Sequence, residues 1–237
     1  MPAGSAVSRV LGLLDREPVS ADRLADWLDL GAAPPGGAPA RIQRVWASRL
    51  GARLYALAKP DMVAAYRRGR DLLRLEPGDT VLDVGCGPCS FTAWLAGCVA
   101  PDGLALGLDV SVAMLDIAAR GSTAPNLVYG RCDGAGLPLR DATVDAVACM
   151  ATLQLLPDPM AELDEIARVT RPGGRVVILT TCRGSHPGAR RVLKWATGVR
   201  MFGRTDIPDA LRARGFGDVH ERARGLFQLT SAQKAAS

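Results

Sequence analysis

The sequence is poor in histidine, in aromatic residues and in long apolar runs. Its 237 residues include 2 histidines, and Phe, Trp and Tyr together make up 5%. No uninterrupted apolar stretch approaches the roughly 18 residues that a membrane-spanning helix needs. The first residues also lack the basic stretch followed by a long apolar one that marks a secretory signal peptide. We therefore expect a globular protein of the cytoplasm.

The cysteines lack the density of a disulfide scaffold and the pairing of a zinc site. Only Cys86 and Cys89 lie close together, and the other four are single and scattered. Structural zinc sites use paired Cys or His ligands, whereas the two histidines, His186 and His220, lie far from this pair in sequence. We expect reduced thiols and no metal site.

Charge is distributed unevenly along the chain. The net charge is +5, but residues 1–75 carry +5, residues 76–182 carry −7 and residues 183–237 carry +7. Such asymmetry can steer an anionic substrate, a phosphate-bearing partner or a membrane surface towards the protein. It equally fits Arg-rich, solvated helix faces, so both interpretations stay open.

The N-terminal part of the chain has helical patterning. Amphipathic helices are predicted over Ala6–Asp15 and Ser20–Leu30, the second with Ser20 as its N-cap. Residues 31–40 have the Pro and Gly content of a linker. Helical patterning returns across Arg41–Ala58 and continues to about Leu75.

From Thr80 onwards, short apolar runs alternate with helical stretches. This alternation predicts right-handed crossovers and a mainly parallel sheet with helices on both faces. The last segment predicts two strands joined by a turn at Ala223–Gly225. We therefore predict a doubly wound, Rossmann-like α/β domain over residues 76–237, with residues 1–75 as a helical cap. Its strands are expected within TVLDV, LALGLDV, NLVYG, VDAVACM and RVVILTTC, and its helices over Phe91–Cys98, Val112–Ala119, Pro159–Thr170 and Ile207–Arg214.

The stretch VLDVGCGPCS is typical of the first strand, turn and helix of a ligand-binding doubly wound sheet. Gly85 and Gly87 allow a sharp turn and the close approach of a ligand. Asp109 ends the next apolar run 22 residues after Gly87, near the spacing of about 20 expected for a ribose-binding acid. Position 90 is Ser, so the third glycine of a dinucleotide fingerprint is absent, and Asp83 makes the site more negative than a pyrophosphate favours. A ligand with a ribose and a cationic amine fits better.

These motifs resemble those of the class I S-adenosylmethionine-dependent methyltransferases, in particular the ubiquinone/menaquinone-type (methyltransferase type 11-like) small-molecule enzymes. The resemblance covers about residues 41–182. It implies a seven-stranded sheet that ends in an antiparallel hairpin, S-adenosyl-L-methionine as cofactor and methyl transfer as activity. Four segments carry it in the family's order: VLDVGCGPC, GLDVSVAMLDIAAR, GRCDGAGLPLRDATVDAVAC and LDEIARVTRPGGRVVIL.

The same resemblance implies which residues contact the cofactor. Asp109 would bind both ribose hydroxyls, and Met114 would lie near the adenine. Asp133 would take the adenine amino group, with Gly134 beside it. The full set of expected contacts is Asp83, Gly85, Cys86, Gly87, Asp109, Val110, Met114, Asp133, Gly134 and Cys149.

The Cys-Gly-Pro-Cys frame at residues 86–89 also has the pattern of a thioredoxin-like redox pair. Such a pair needs its first cysteine exposed at a helix start with a lowered pKa. Here the frame is embedded in DVGCGPC, where the family already accepts Cys at position 86. We interpret Cys86 and Cys89 as packing residues beside the cofactor.

The segment after the fourth strand of the domain bears on the nature of the methyl acceptor. Related enzymes often carry LHHLPDP there, whereas this chain carries LQLLPDP, with Gln154 at the first His position. A Gln amide can orient an acceptor oxygen but is no base at neutral pH.

His186 is the candidate base, and Tyr55 is a candidate to close over the site. The plainer interpretations are that Gln154 is a polar pocket residue, that His186 is a loop histidine and that Tyr55 is an aromatic residue that packs between helices. The missing His favours an acceptor that is already nucleophilic: a carboxylate, a phenolate or an activated ring carbon.

Segment 183–204 combines six basic residues with apolar ones. We interpret residues 183–205 as a substrate lid, with a membrane-surface helix or an RNA contact as alternatives. No recognised RNA-binding module accompanies it, so no nucleic acid partner is expected. The sequence thus predicts O- or C-methylation of a small apolar acceptor such as a fatty acid, a quinone-like molecule or a secondary metabolite. An RNA or protein methyltransferase and a non-catalytic S-adenosylmethionine-binding regulator are the alternatives.

Overall fold

The computed structural model describes residues 5–15, 28–30, 63–88, 91–121, 124–132, 136–183 and 199–236. Within these ranges, eight strands form one sheet in the order β1-β4-β3-β2-β5-β6-β8-β7. The strands from β1 to β6 pair in parallel, and β8 runs antiparallel to both β6 and β7. The strands are β1 Leu28–Asp29, β2 Thr80–Val84, β3 Leu104–Asp109, β4 Leu127–Arg131, β5 Val144–Met150, β6 Thr170–Thr181, β7 Phe216–Arg224 and β8 Phe227–Lys234.

The helices cover both faces of this sheet. Helices α1, α5 and α6 pack into one apolar cluster, and α2, α3 and α4 pack into the other. The central strands are therefore buried on both sides, which explains their nearly continuous Val, Leu and Ala runs. The helices are α1 Ala6–Leu13, α2 residues 63–73, α3 Phe91–Val99, α4 Val112–Gly121, α5 Pro159–Val169 and α6 Asp206–Arg212, with a short 3-10 helix at Leu153–Leu155.

The predicted doubly wound sheet with its terminal antiparallel hairpin is confirmed. From β2 the chain proceeds outward through β3 and β4, and then returns to the other side of β2 through β5. The strand order thus reverses between β2 and β5. In open α/β sheets, ligands bind at the carboxyl ends of the strands at this switch point.

The sheet has one strand more than the seven predicted. Leu28–Asp29 pairs in parallel with Gly130–Arg131 at the edge of β4. The predicted helix over Ser20–Leu30 is therefore wrong at its end, because these residues add to an open sheet edge; positions 20–27 lie outside the described residues. Helix α1 ends at Leu13 instead of Asp15, because Leu14 forms an antiparallel bridge with Leu139.

The described N-terminal residues pack into the same core as the sheet. Val7, Val10, Leu14, Leu28 and Leu30 are all buried in the cluster on one sheet face. The predicted helix Arg41–Ala58 lies outside the described residues, and a domain boundary at residue 75 stays a prediction. Of the described helices, none has the length and apolarity to cross a membrane.

Candidate cofactor and acceptor site

The glycine turn after β2 is fixed between two neighbouring strands. The amides of Gly85 and Cys86 both donate to the carbonyl of Leu108, at 2.7 and 2.9 Å. From the other side, the Thr152 hydroxyl donates to the carbonyl of Gly85 at 3.2 Å. The turn is thus held between β3 and the residues that follow β5.

Gly85 and Gly87 are needed for different reasons. Both have positive φ angles, +68° and +57°, which favour glycine. A Cβ at Gly85 would lie 2.2 Å from Thr152 Oγ1, whereas a Cβ at Gly87 would meet no atom of the described chain within 4 Å. Gly85 therefore permits close packing of the protein on itself, and Gly87 faces open space where a ligand can approach.

Asp109 joins the turn to the end of β3. Its Oδ2 accepts from the Gly87 amide at 2.9 Å and its Oδ1 accepts from the Ser111 amide at 2.8 Å. Burial raises the pKa of this carboxyl, and the backbone hydrogen bonds oppose the shift. The structure thus brings together the predicted glycine turn and the predicted ribose-binding acid. Each carboxylate oxygen has two lone pairs, so both oxygens can still accept from a ribose hydroxyl.

A second carboxyl lies beneath the turn. Asp83 is 1% exposed and accepts a hydrogen bond of 2.6 Å from the hydroxyl of Thr92 in the first turn of α3. Burial raises its pKa to about 7, with Thr92 opposing the shift and the charge of Asp109 adding to it. Two neighbouring carboxyls suit a cationic ligand better than a pyrophosphate. Sequence reasoning missed Thr92, although a hydroxyl one turn after the glycines is a usable signal.

Two cysteines of the expected contact set are deeply buried. Cys86 is 2% exposed, and its sulfur lies 3.1 Å from the position that a Cβ on Gly107 would take. Cys149 has no exposed surface, and burial raises the pKa of its thiol well above the ordinary range. Both therefore fill space beneath the site, and a ligand contact through Cys149 stays a prediction.

The remaining predicted contacts are only partly covered by the structure. Val110 and Met114 are half-buried around the start of α4, beyond Asp109. Tyr66, in α2, makes an edge-to-face contact with Phe91, their ring centroids 4.9 Å apart. The ring of Tyr66 thus packs between helices α2 and α3. Positions that lie outside the described residues are Tyr55, Cys89, Asp133, Gly134 and His186.

Gln154 lies at the carboxyl end of β5, in the 3-10 helix. Its side chain is 7% exposed, and its Oε1 accepts no hydrogen bond from the part of the chain that the structure describes. Its backbone carbonyl accepts from the amide of Arg200 at 3.1 Å. The Arg200 carbonyl accepts in turn from Thr181 Oγ1 at 2.5 Å. Arg200, within the predicted lid segment 183–205, thus contacts both Gln154 and the end of β6.

No three or more His, Cys, Asp or Glu side chains among the described residues are grouped to hold a metal ion.

Residues 82–178 match the family model described as a methyltransferase domain. The central part of the chain thus has a methyltransferase domain, as the motifs predicted. The expected cofactor, S-adenosyl-L-methionine, is confirmed with it.

Among the relatives of this chain is a demethylmenaquinone methyltransferase from Bacillus mycoides, 35% identical over 140 residues, which cover 56% of this chain and 58% of that protein. The segments matched in the first curated relatives span only 36% to 58% of those proteins.

Two solved structures share the fold. Haemonchus contortus phosphoethanolamine N-methyltransferase 2 has a TM-score of 0.68 at 15% identity, over 85% of this chain and 61% of that one. A chain in the complex of the Haloferax volcanii Trm112 methyltransferase activator has a TM-score of 0.67 at 19% identity, over 85% of this chain and 99% of that one.

Proposed function

We propose that the whole protein methylates a small, apolar acceptor that is already nucleophilic, with an electron-rich, hydroquinone-type ring or a carboxylate as the reacting group. The observation that carries this proposal is Gln154. A buried amide oxygen with no hydrogen-bond partner among the described residues is unusual, and it lies where related enzymes often carry a histidine. The relation to demethylmenaquinone methyltransferases supports an electron-rich ring carbon as the acceptor atom, and this carbon would lose its proton to solvent after the transfer.

The cofactor half of the site consists of Asp83, residues 85–87 and Asp109. When bound there, S-adenosyl-L-methionine would supply an electrophilic methyl group, and its sulfur would keep the electron pair of the broken carbon–sulfur bond. Asp109 holds the ribose hydroxyls, and the open space at Gly87 admits the ligand close to the backbone. Asp83 favours a positive charge nearby, because a cation stabilises its ionised form.

The acceptor half of the site consists of Gln154, residues 199–202 and Thr181 at the end of β6. The Gln154 amide can both donate and accept, so it orients an oxygen of the acceptor without removing a proton. Aligning the nucleophile with the methyl carbon supplies much of the rate enhancement in such a displacement. The exposed Arg183 and Arg200, on either side of residues 184–198 in the sequence, add positive charge beside this half.

A transfer assay tests this function. The protein is incubated with S-adenosylmethionine that carries a labelled methyl group, in separate reactions with the small-molecule, RNA and protein fractions of the source cells. We expect label in an apolar small molecule, identified by mass spectrometry, and none with Asp109→Ala. Label in RNA or protein would overturn the proposal in favour of a macromolecular acceptor. Cofactor binding without any transfer would point to the non-catalytic regulator.

A further inference from the structure

One side chain connects the two halves of the site directly. Thr152 lies between β5 and the 3-10 helix Leu153–Leu155, two residues before Gln154. Its hydroxyl lies 3.2 Å from the carbonyl oxygen of Gly85 and 3.4 Å from that of Met150. A hydroxyl has one proton to donate, so Thr152 can donate either to the glycine turn or to the end of its own strand.

The Thr152 side chain also contacts the turn through its carbon atoms. A Cβ on Gly85 would lie 2.3 Å from Thr152 Cγ2 and 2.8 Å from Thr152 Cβ. The side chain therefore packs against the Gly85 backbone and leaves no space for a methyl group between them. Because interiors packed this closely transmit displacements, a shift of the turn must be felt at Thr152.

The backbone of Thr152 begins the helix that carries Gln154. The Leu155 amide donates to the Thr152 carbonyl at 2.8 Å. Directly before Thr152, Ala151 has a φ of +61°, a left-handed conformation that is uncommon for residues other than glycine. Such a backbone persists where the surrounding contacts fix it, and it is concentrated at functional sites. The position of this helix therefore depends on the contacts that Thr152 makes.

The glycine turn is connected in turn to the residue that is expected to hold the ribose. The Gly87 amide donates to Asp109 Oδ2 at 2.9 Å. A continuous series of contacts thus leads from Asp109 through the turn and Thr152 to the helix of Gln154. The two ends of this series belong to the cofactor half and the acceptor half of the site.

We propose that Thr152 is a positioning residue that couples the cofactor half to the acceptor half. When a ligand occupies the turn, the Thr152 hydroxyl donates to Gly85 and fixes the 3-10 helix. Gln154 is then aligned with the methyl group, and such alignment supplies much of the rate of a displacement. This proposal rests on the proposed function, in which Gln154 orients the acceptor. Thr152 acts through Gln154 and takes no part in the chemical step.

Amide hydrogen exchange, followed by NMR, tests the coupling without any acceptor. The probe is S-adenosylhomocysteine, which has no methyl group to transfer. Each variant is measured free and with the probe at about ten times its own Kd from calorimetry, so that occupancy is equal. In the unmodified protein, we expect the probe to slow exchange of the Leu155 and Leu156 amides about five- to tenfold, in the lower range of coupling between two sites. The Cys86 amide, in the turn itself, should slow in every variant.

Thr152→Val keeps the shape of the side chain and removes its hydroxyl. We expect its Kd for S-adenosylhomocysteine to stay within about threefold and its Cys86 amide to remain protected. The slowing at Leu155 and Leu156 should fall below about twofold. Thr152→Ser, which returns the hydroxyl, should restore the slowing. Thr152→Ala takes the place of Thr152→Val if that variant does not fold.

Thr170→Val is the matched control. The buried Thr170 hydroxyl also donates to a backbone carbonyl, that of Ile166 at 2.6 Å, but it lies at the start of β6, the end of the sheet opposite the site. Thr170→Val should lower the Tm at least as much as Thr152→Val and leave the slowing at Leu155 unchanged.

The coupling would be overturned by slowing that persists in Thr152→Val, by an equal loss in Thr170→Val, or by no slowing in the unmodified protein. Label in RNA or protein in the transfer assay would overturn the proposed function instead, because the exchange experiment contains no acceptor. Failure of the unmodified protein to bind S-adenosylhomocysteine would overturn both.

Discussion

The cofactor half and the acceptor half of the site satisfy their polar groups differently. Asp83 and Asp109 accept hydrogen bonds from Thr92, Gly87 and Ser111. The oxygen of Gln154, in contrast, accepts none from the described residues although it is buried. Because buried polar groups are normally paired, we infer that the cofactor half is built before its ligand arrives. The proposed acceptor half leaves the Gln154 oxygen able to accept a hydrogen bond.

A similar contrast continues along the acceptor side of the sheet. Gln228 is fully buried in β8 and donates to Thr180 Oγ1 at 3.1 Å and to the Gly203 carbonyl at 3.2 Å. Its own Oε1 accepts no hydrogen bond from the part of the chain that the structure describes. Substitutions in the cofactor half should therefore change cofactor binding and protein stability. Substitutions in the acceptor half should change turnover.

The largest expected effect is that of Asp109→Ala in the cofactor half. The variant loses charge-assisted hydrogen bonds to the ribose, each about 1.5–3 kcal/mol, so the Kd for S-adenosylmethionine should rise about hundredfold or more. Calorimetry measures it, with Asp102→Ala, an exposed carboxylate before β3, as control. Unchanged affinity would show that Asp109 does not hold the ribose.

The two turn glycines should differ when each is replaced by alanine. Gly85→Ala forces a methyl group onto Thr152 and strains a positive φ, so it should lower the free energy of unfolding by about 3 kcal/mol. Gly87→Ala meets only the backbone penalty of about 1 kcal/mol, and its main effect should be on cofactor affinity. Urea unfolding of both variants checks the difference. Equal losses of stability would contradict the distinction between internal packing and ligand approach.

Asp83 should make stability depend on pH. Its folded pKa of about 7 lies above the ordinary value of 3.8, so between these values the folded state holds a proton that the unfolded chain has lost. The contribution of this proton to the free energy of unfolding is complete below about pH 4 and is lost as the pH rises through about 7. Asp83→Asn should remove this slope and stabilise the ligand-free protein at pH 8 by on the order of 2–4 kcal/mol.

Urea unfolding at pH 5 and pH 8 measures the effect of Asp83→Asn, with exposed Asp102→Asn as control. The groups that act on Asp83 include the Thr92 hydroxyl and the Asp109 carboxyl, together with the Cys149 thiol that responds to its charge. An unchanged pH slope in Asp83→Asn would assign the proton to another group, Asp109 first.

Gln154→Ala should affect the acceptor half alone. We expect kcat to fall about tenfold, or roughly 1.4 kcal/mol of misalignment, while the Kd for S-adenosylmethionine stays within about twofold.

A carboxylate acceptor, with a reference pKa of about 4, needs no base near neutral pH. The pH–rate profile should therefore show no limb near pH 6–7 that disappears in His186→Ala. Such a limb would establish a histidine base and remove the main support for a carboxylate acceptor.

The smallest effect is expected from the double variant Cys86→Ser/Cys89→Ser. Cys86 is buried in the turn, so its replacement should cause packing losses but no loss of chemistry. Under reducing conditions, methyl transfer should stay within about tenfold of the unmodified protein. Complete loss of turnover in a variant that folds and binds cofactor would revive the redox interpretation of these cysteines.

The sequence by itself predicted the glycine turn after β2 and its proximity to Asp109. Alternating apolar runs and helical stretches predict strands such as Thr80–Val84, and the structure has that strand with the same bounds. The Gly87 to Asp109 spacing predicts their proximity, and the two residues share a hydrogen bond. Such features are readable because they depend on local periodicity and on one strand–turn–helix unit with a fixed geometry.

Only the tertiary structure decided the remaining features. A helical pattern over Ser20–Leu30 could not show that Leu28–Asp29 would pair with an open edge about a hundred residues later. The need for glycine at position 85 comes from Thr152, 67 residues away in sequence. The pKa of Asp83 is set by burial beneath α3. These properties depend on contacts between distant segments, which the packing of the sheet and its helices creates and which local sequence patterns do not encode.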